Sequence, residues 1–404
     1  MIARITPRRL QGEIAAIPSK SEAHRLLICA ALADKPTRVV PGGISQDIDA
    51  TMRCLNALGA DIRRVDGGIL VNPISFDHLP ASCTADCGES GSTLRFILPL
   101  AGALGVQTDF VMHGRLPDRP ISPLDRELTR GGCKLSRPEH DILRISGKLR
   151  PGAYELPGNV SSQYITGMLY ALSILDGESS LAITGELESA GYIDITLQAM
   201  AGFSVHPEKT ESGYRVSPQK YISSGEAAVG GDWSNAALWL CAGGVQVSGL
   251  NPASAQGDRQ VAGELAAMRE SNVHTVDASG IPDLMPALAA YAAVHDVQLH
   301  VTHAERLRIK ESDRIAAIAR TLNALGAHVE EFPDGLIVHR GHPLRGGCVS
   351  SAGDHRIAMM AAIASTGCTE QVEIRGAEAV SKSDPAFWQG FMALGGQAEL
   401  IPED

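Results

Sequence analysis

The chain has 404 residues, room for two ordinary domains with a core each. Hydrophobic residues make up 44% and aromatics only 4%, beside 42 glycines, which predicts a globular protein of small and aliphatic side chains and excludes a platform for stacking bases. A formal net charge of −11 excludes a general binder of nucleic acid or acidic membrane, while leaving room for a local basic pocket.

The eight cysteines, at positions 29, 54, 83, 87, 133, 241, 348 and 368, form no CxxC pair and no Cys/His set with zinc spacing. They read as reduced thiols of a cytoplasmic protein. The N-terminus shows strand-like pieces and no apolar h-region, so no signal peptide is expected. No apolar run is long enough to span a bilayer.

In chain order, the first predicted helix enters through IPSKSEAHRLLICAALA, residues 17–33, with Lys20 before it and Arg25 in its first turns. A helix N-terminus is already positive and rich in N–H donors, so cations there need a reason. Next comes TMRCLNALGADIRRVDGGILV from Thr51, which aligns without a gap on IARTLNALGAHVEEFPDGLIV from Ile318. Each copy reads as an amphipathic helix, a Gly C-cap, a strand, a tight turn and a second strand. Weaker copies are ELTRGGCKLSRPEHDILRIS, LQAMAGFSVHPEKTESGYRVS, ELAAMRESNVHTVDAS and the C-terminal FMALGGQAELIPED.

A second series interleaves with the first: apolar helices with polar starts near Ser21, Ser90, Ser161, Ser234, Pro282 and Asp354. Both recur roughly every 70 residues, longer than a solenoid period, which predicts six βαβαββ units in two lobes of three. The first series has charged outer faces and predicts surface helices. The second is apolar all round after its first turn, as in TLRFILPLAGALGV, and predicts buried ones. Buried helices aiming their N-termini at a common opening would form an anion trap.

The notable polar residues gather at those starts. They are Lys20, Ser21 and Arg25; CGESGSTLR at 87–95, with Gly88 and Gly91; GNVSSQY with Ser161, Ser162 and Gln163; Asp283; LRIKESDR with Lys310, Glu311 and Arg314; DHR at 354–356; and Lys382 in VSKSDP. Alone, each has a bland meaning: solvated lysines and arginines, a turn and cap in GESGST, an N-cap in SSQ, an exposed charge ladder in KESDR. Their recurrence at corresponding points of a repeated unit favours a shared site. No HxxxH or HExxH pattern supports a zinc hydrolase, and His24 and His355 are expected to be structural.

The pieces PSKSEAHR, GESGSTLR, GRLPDRP, VSSQY, GYIDIT, RIKESDR, DHRIAM and SKSDP, in this order, resemble the 5-enolpyruvylshikimate-3-phosphate synthases (3-phosphoshikimate 1-carboxyvinyltransferases) over essentially the whole length. The resemblance implies an α/β fold, the two-domain inside-out α/β barrel of the enolpyruvyl transferases, with residues 19–229 as one lobe, 1–18 plus 230–404 as the other, and the active site in the interdomain cleft. It further implies that Lys20, Ser21, Arg25, Ser161, Ser162, Gln163, Ser189, Asp283 and Lys310 hold shikimate 3-phosphate, with Tyr192 packed nearby. Lys20, Gly91, Arg115, Gln163, Arg314, Arg356 and Lys382 would hold phosphoenolpyruvate, with Arg95 and Arg119 supporting them. Asp283, Glu311 and Lys20 would be catalytic, transferring the enolpyruvyl group to the ring 5-hydroxyl.

Two departures from the family pattern stand out: Glu89-Ser90-Gly91-Ser92 replaces Asn-Ala-Gly-Thr, and Arg306 replaces an Asn four residues before Lys310. A Glu beside an anion site must point away, pair with a cation or be protonated. The first departure bears on glyphosate, the phosphoenolpyruvate mimic in this family. The sister transferase acting on UDP-N-acetylglucosamine carries a loop Cys that GRLPDRP lacks. A non-catalytic phosphometabolite binder would not need both Asp283 and Glu311, and an RNA-end cyclase would need a basic face. No cofactor and no metal is expected, the partners are the two small substrates alone, and the family is commonly monomeric.

Overall fold

The computed structural model describes residues 1–41, 45–188 and 190–402. The chain divides into two compact units, Pro18–Gly230 and Met1–Ile17 joined with Gly231–Asp404.

Pro18–Gly230 carries three four-stranded sheets of one design. In the middle one Ser82–Asp86 pairs in parallel with Gln107–Val111, and Ile142–Gly147 and Cys133–Glu139 follow antiparallel. A parallel pair needs a long crossover while an antiparallel pair closes through a turn. Here the crossover is the helix Gly91–Leu104. The same path runs from Ala153–Pro157 through Ser162–Ser173 to Ser179–Thr184. In the third sheet the parallel partner of Thr37–Val40 is Glu226–Ala228, the last strand of the unit, and the helix that leads into Thr37–Val40 is Lys20–Ala31.

These three helices form the interior. Every residue of Gly91–Leu104 except Ser92 is buried, and every residue of Ser162–Ser173 except Gln163. Apart from Gly68 and Ile69, the strands bury no two neighbouring residues, so sheets lie outside and helices inside. Close helix packing needs small side chains: a Cβ on Gly167 would stand 2.2 Å from the Arg95 carbonyl oxygen. Buried helices must also satisfy their first N–H groups. Ser19 accepts from the Glu22 amide at 3.3 Å, Ser90 from Thr93 at 3.3 Å and Ser161 from Gln163 at 3.3 Å.

The other unit repeats the design. Val273–Asp277, Gln298–Thr302, Gly335–His339 and His328–Phe332 form one four-stranded sheet. A second places the N-terminal strand Ile2–Thr6 between Val372–Arg375 and Gln397–Ile401. The third has only its parallel pair, Val245–Ser248 with Gly12–Ala15, among the described residues. The helix Val261–Glu270 runs straight into Val273–Asp277, so ELAAMRESNVHTVDAS ends one unit and opens the next instead of closing a hairpin. The interior helices are Trp233–Cys241, Met285–His295 and His355–Ala364, the last buried at all ten residues. Asp232 caps the first and Asp354 the third.

The internal repeat holds at the level of atoms. Asn56 accepts from the Ile62 amide at 2.7 Å and donates to its carbonyl at 3.1 Å; Asn323 does the same to Val329 at 2.7 and 2.9 Å. Gly59 and Gly326 follow their helices at φ 107° and 106°, a conformation that suits glycine. No helix among the described residues is long and apolar enough to cross a membrane.

Candidate active site

In Pro18–Gly230 Lys20, Ser21, Gly91, Ser161, Ser162 and Gln163 stand at the starts of the interior helices. Lys20 opens its helix with Nζ 2.9 Å from Asp47 Oδ2, the carboxylate lying in the first turn of Gln46–Ala57. Arg25 is buried. Its Nε donates to Thr196 Oγ1 at 2.7 Å, NH1 to the Ser21 carbonyl and NH2 to the Tyr192 carbonyl, both at 2.8 Å, and the guanidinium lies over the Phe96 ring. Burial lowers its proton affinity, but three hydrogen bonds and the ring face still fix the charge in place.

A second network joins two helix starts. Gln163 Nε2 donates to Ser92 Oγ at 2.8 Å while its Oε1 accepts from Arg95 NH1 at 2.8 Å. Arg95 also donates to the Pro120 carbonyl at 3.1 Å and lies over the Tyr164 ring. The amide of Gln163 is therefore oriented from both ends. Gly91 carries the Arg119 guanidinium against its Cα: a Cβ there would stand 2.6 Å from NH1. The Glu89 side chain lies against Gly114 in the loop that leads to Arg115, where a Cβ would stand 2.6 Å from its carboxyl carbon. That loop is stapled to 87–91 by the Cys87 amide on the Val111 carbonyl at 2.9 Å and the His113 amide on the Gly88 carbonyl at 2.8 Å. The Glu89 carboxyl is turned toward Gly114. Arg115 itself is exposed at the start of the turn Leu116–Asp118.

His24 is structural. Its Nδ1 shares a 2.7 Å hydrogen bond with Thr51 Oγ1, and burial pushes its pKa down to about 3, so the ring is neutral.

The second unit holds a charged cluster. Arg314, at the start of Arg314–Ala324, has a side chain only 2% exposed and spends all three nitrogens on carboxylates. Nε donates to Asp354 Oδ2 at 2.8 Å, NH1 to Asp283 Oδ1 at 2.8 Å and NH2 to Glu311 Oε2 at 2.7 Å. Asp283 Oδ2 accepts from Arg356 NH2 at 3.1 Å, and Lys310 Nζ stands 3.8 Å from Asp283 Oδ1. Burial works against the Arg314 charge, but Asp354, Glu311 and Asp283 outweigh it and raise its pKa. Likewise burial acts to raise the Asp354 carboxyl, and Arg314 overrides it and holds the pKa below the usual range. Lys310 goes the other way: burial lowers it to about 8, against the pull of Asp283. Lys382 Nζ donates to the Gly353 carbonyl at 2.8 Å, one residue before Asp354. Nearby in sequence, burial pushes the Asp384 carboxyl up to about 6; it accepts from Asn235 Nδ2 at 3.3 Å.

The structure thus gathers Asp283, Lys310, Glu311, Arg314 and Arg356 into one cluster and sets Ser21 with Arg25 and Gln163 with Arg95. Ser161 is a cap and Ser162 a buried first residue of its helix. Ser189 lies outside the described residues. Sequence reasoning missed Asp47 and Thr196, and it set Ser92 and Asp354 among the polar helix starts without assigning them a partner. An acid in the first turn of a repeated helix was the available signal for Asp47. Among the described residues, no group of three or more His, Cys, Asp or Glu could hold a metal ion.

The chain matches the family model described as EPSP synthase (3-phosphoshikimate 1-carboxyvinyltransferase) over residues 5–391. The 3-phosphoshikimate 1-carboxyvinyltransferase of Clostridium kluyveri is 38% identical, covering 98% of this chain and 97% of that protein. The protein of the same name from Clostridium botulinum strain Eklund 17B is 39% identical over 97% of each. Among solved structures, an EPSP synthase from Acinetobacter baumannii superposes with a TM-score of 0.80 at 23% identity, covering 99% of this chain and 100% of that one. The enolpyruvyl transferase NikO from Streptomyces tendae gives 0.74 at 14% identity over 98% of each chain. At such identities the two structures speak for the fold alone.

Proposed function

Because this chain belongs to the EPSP synthase (3-phosphoshikimate 1-carboxyvinyltransferase) family, we propose that it transfers the enolpyruvyl group of phosphoenolpyruvate to the 5-hydroxyl of shikimate 3-phosphate and releases inorganic phosphate. The observation that carries this most directly is the pair of carboxylates, Asp283 and Glu311, held on one guanidinium. A reaction that takes a proton from a hydroxyl and gives one to a methylene carbon needs two such groups.

Shikimate 3-phosphate is held by Lys20, Ser21, Arg25, Ser161, Ser162, Gln163, Ser189, Asp283 and Lys310. Phosphoenolpyruvate is held by Lys20, the Gly91 backbone, Arg115, Gln163, Arg314, Arg356 and Lys382. Each phosphate brings roughly −1.5 to −2 charges at neutral pH, so the two substrates repel unless cations lie between them. In the structure Lys20 lies on Asp47, Arg356 on Asp283 and Lys382 on the Gly353 carbonyl. The incoming anions take over those donors. As Arg356 and Lys310 turn to substrate oxygens, Asp283 regains lone pairs and accepts the proton of the 5-hydroxyl. Glu311 delivers a proton to the methylene carbon, with Lys20 able to exchange roles. The product of addition is a tetrahedral intermediate; a methyl proton then returns to Glu311 while phosphate leaves with the proton held on Asp283, which gives the enol ether and restores both carboxyl groups. The protein is taken as a cytoplasmic monomer.

The test is direct. The purified protein is mixed with phosphoenolpyruvate and shikimate 3-phosphate, with UDP-N-acetylglucosamine as the competing acceptor, and inorganic phosphate is followed. Release with shikimate 3-phosphate alone is expected. Asp283→Ala should lower turnover by roughly 100-fold or more, the scale of general base catalysis, while changing the calorimetric affinity for either substrate far less. Near-normal turnover in that variant would remove Asp283 from the role of base.

A further inference from the structure

Arg314 touches both carboxylates assigned above to proton transfer, through NH1 at 2.8 Å from Asp283 and NH2 at 2.7 Å from Glu311. A guanidinium is planar, so fixing its Nε edge aims the other two nitrogens. That edge is fixed by Asp354, whose Oδ2 accepts from Nε at 2.8 Å and whose Oδ1 lies 3.4 Å from NH2. Asp354 in turn is held on every side. Ser312 Oγ donates to Oδ2 at 2.9 Å, the Arg356 amide donates to Oδ1 at 3.0 Å, and the side chain is 0% exposed. It caps His355–Ala364, a helix buried at all ten residues and so a rigid base. Of the five N–H groups of Arg314, four go to Asp354 Oδ2 and Oδ1, Asp283 Oδ1 and Glu311 Oε2, which leaves one N–H of NH1 for an oxygen of phosphoenolpyruvate.

We propose that Asp354 is a positioning residue for the reaction: it fixes the plane of Arg314 and so sets together the placement and the proton affinity of Asp283 and Glu311. The proposal rests on the assignment of those two carboxylates as base and acid. The charges that face the cluster are Arg314, Lys310, Arg356 and, beside Lys310, Arg306 against Asp283, Glu311 and Asp354, with His355 Nδ1 3.8 Å from Asp354 Oδ1. Neutralising Asp354 leaves these cations facing two carboxylates. The field at both becomes more positive, and both hold their protons less tightly. The base then ionises at lower pH and the acid loses its proton at lower pH, so both limbs of the rate profile move down together.

Asp354→Asn keeps the capping oxygen and nearly the same shape, while removing the charge. Turnover should fall roughly 10- to 100-fold through misaligned carboxylates, with both limbs of kcat/KM shifted down by about half a pH unit or more. Ser312→Ala, which removes only the hydroxyl that steadies Asp354, should lose about 2- to 5-fold in the same direction, and it decides the matter should Asp354→Asn not fold. Wild-type turnover in Asp354→Asn, a loss there with an unmoved pH profile, or, should that variant not fold, wild-type turnover in Ser312→Ala overturns the proposal. Failure of the wild-type protein to release phosphate from the two substrates would instead overturn the assignment beneath it.

Discussion

Lys310 meets two opposed demands. Its side chain is largely buried, which lowers its pKa to about 8, and its ammonium stands 3.8 Å from Asp283, which pulls the other way. The protonated form is the one that can hold a phosphate. Because the pKa in the folded protein lies below the ordinary lysine value, the charge is present at pH 7 and is lost as pH rises through about 8. Titration calorimetry between pH 7 and pH 9.5 should therefore show the affinity for shikimate 3-phosphate falling by roughly tenfold or more. Lys310→Arg, with a guanidinium that stays charged, should flatten the curve; parallel curves for the two proteins would take Lys310 out of phosphate binding. Lys310, Glu311 and Arg314 were legible in RIKESDR, and Arg25 and Gln163 in their motifs, because an unusual residue at a helix start draws notice. Asp47 and the full part of Asp354 were not. An acid in a first turn is ordinary capping chemistry, and only folding brings Asp47 to Lys20 and Asp354 to Arg314.

At the scale of elements, the polar start followed by an all-apolar run marked the interior helices well. The caps fell two residues earlier than expected in two cases, at Ser19 and Asp232, since a capping side chain precedes the first helical residue. The absent hairpin of the Val245–Ser248 sheet was not legible, because a helix followed by a strand reads alike whether the strand closes one unit or opens the next. The repeat also carries charge. Extending the alignment of Thr51 on Ile318 backward without a gap puts Asp47 on Arg314. The first position grips a lysine and the second grips aspartates, so one scaffold point serves ion pairs of opposite polarity. What lets such helices lie side by side is the lack of a side chain at the contact. Gly167→Ala would drive a methyl to within 2.2 Å of the Arg95 carbonyl, which backbone cannot yield cheaply. Overpacking of this kind should cost about 3 kcal/mol, read as a lower midpoint in urea unfolding. It should also loosen the Arg95–Gln163–Ser92 network at the same helix starts. An unchanged midpoint would mean that the two helices can slide apart freely.

For the molecule as a whole, the decisive fact is where the first strands go. Ile2–Thr6 is an inner strand, bonded on one edge to Val372–Arg375 and on the other to Gln397–Ile401, and Gly12–Ala15 supplies the partner of Val245–Ser248. Length and period alone suggested two lobes; that the chain starts in one, builds the other and returns came only with the family resemblance, since a short strand at an N-terminus carries no sign of its partners. The physical consequence is lopsided. Pro18–Gly230 contains every strand of its three sheets, including Glu226–Ala228 beside Thr37–Val40. A fragment of residues 18–230 should fold cooperatively and keep the dispersed amide spectrum of a packed domain. Residues 231–404 alone would expose two strand edges in the middle of one sheet and leave Val245–Ser248 unpaired, a state prone to aggregation. Supplying residues 1–17 as a separate peptide, or fusing them after residue 404, should restore a cooperative transition. If 231–404 folded as well without them, the inner strand would be dispensable and the sheet would owe its stability to the helices beneath it.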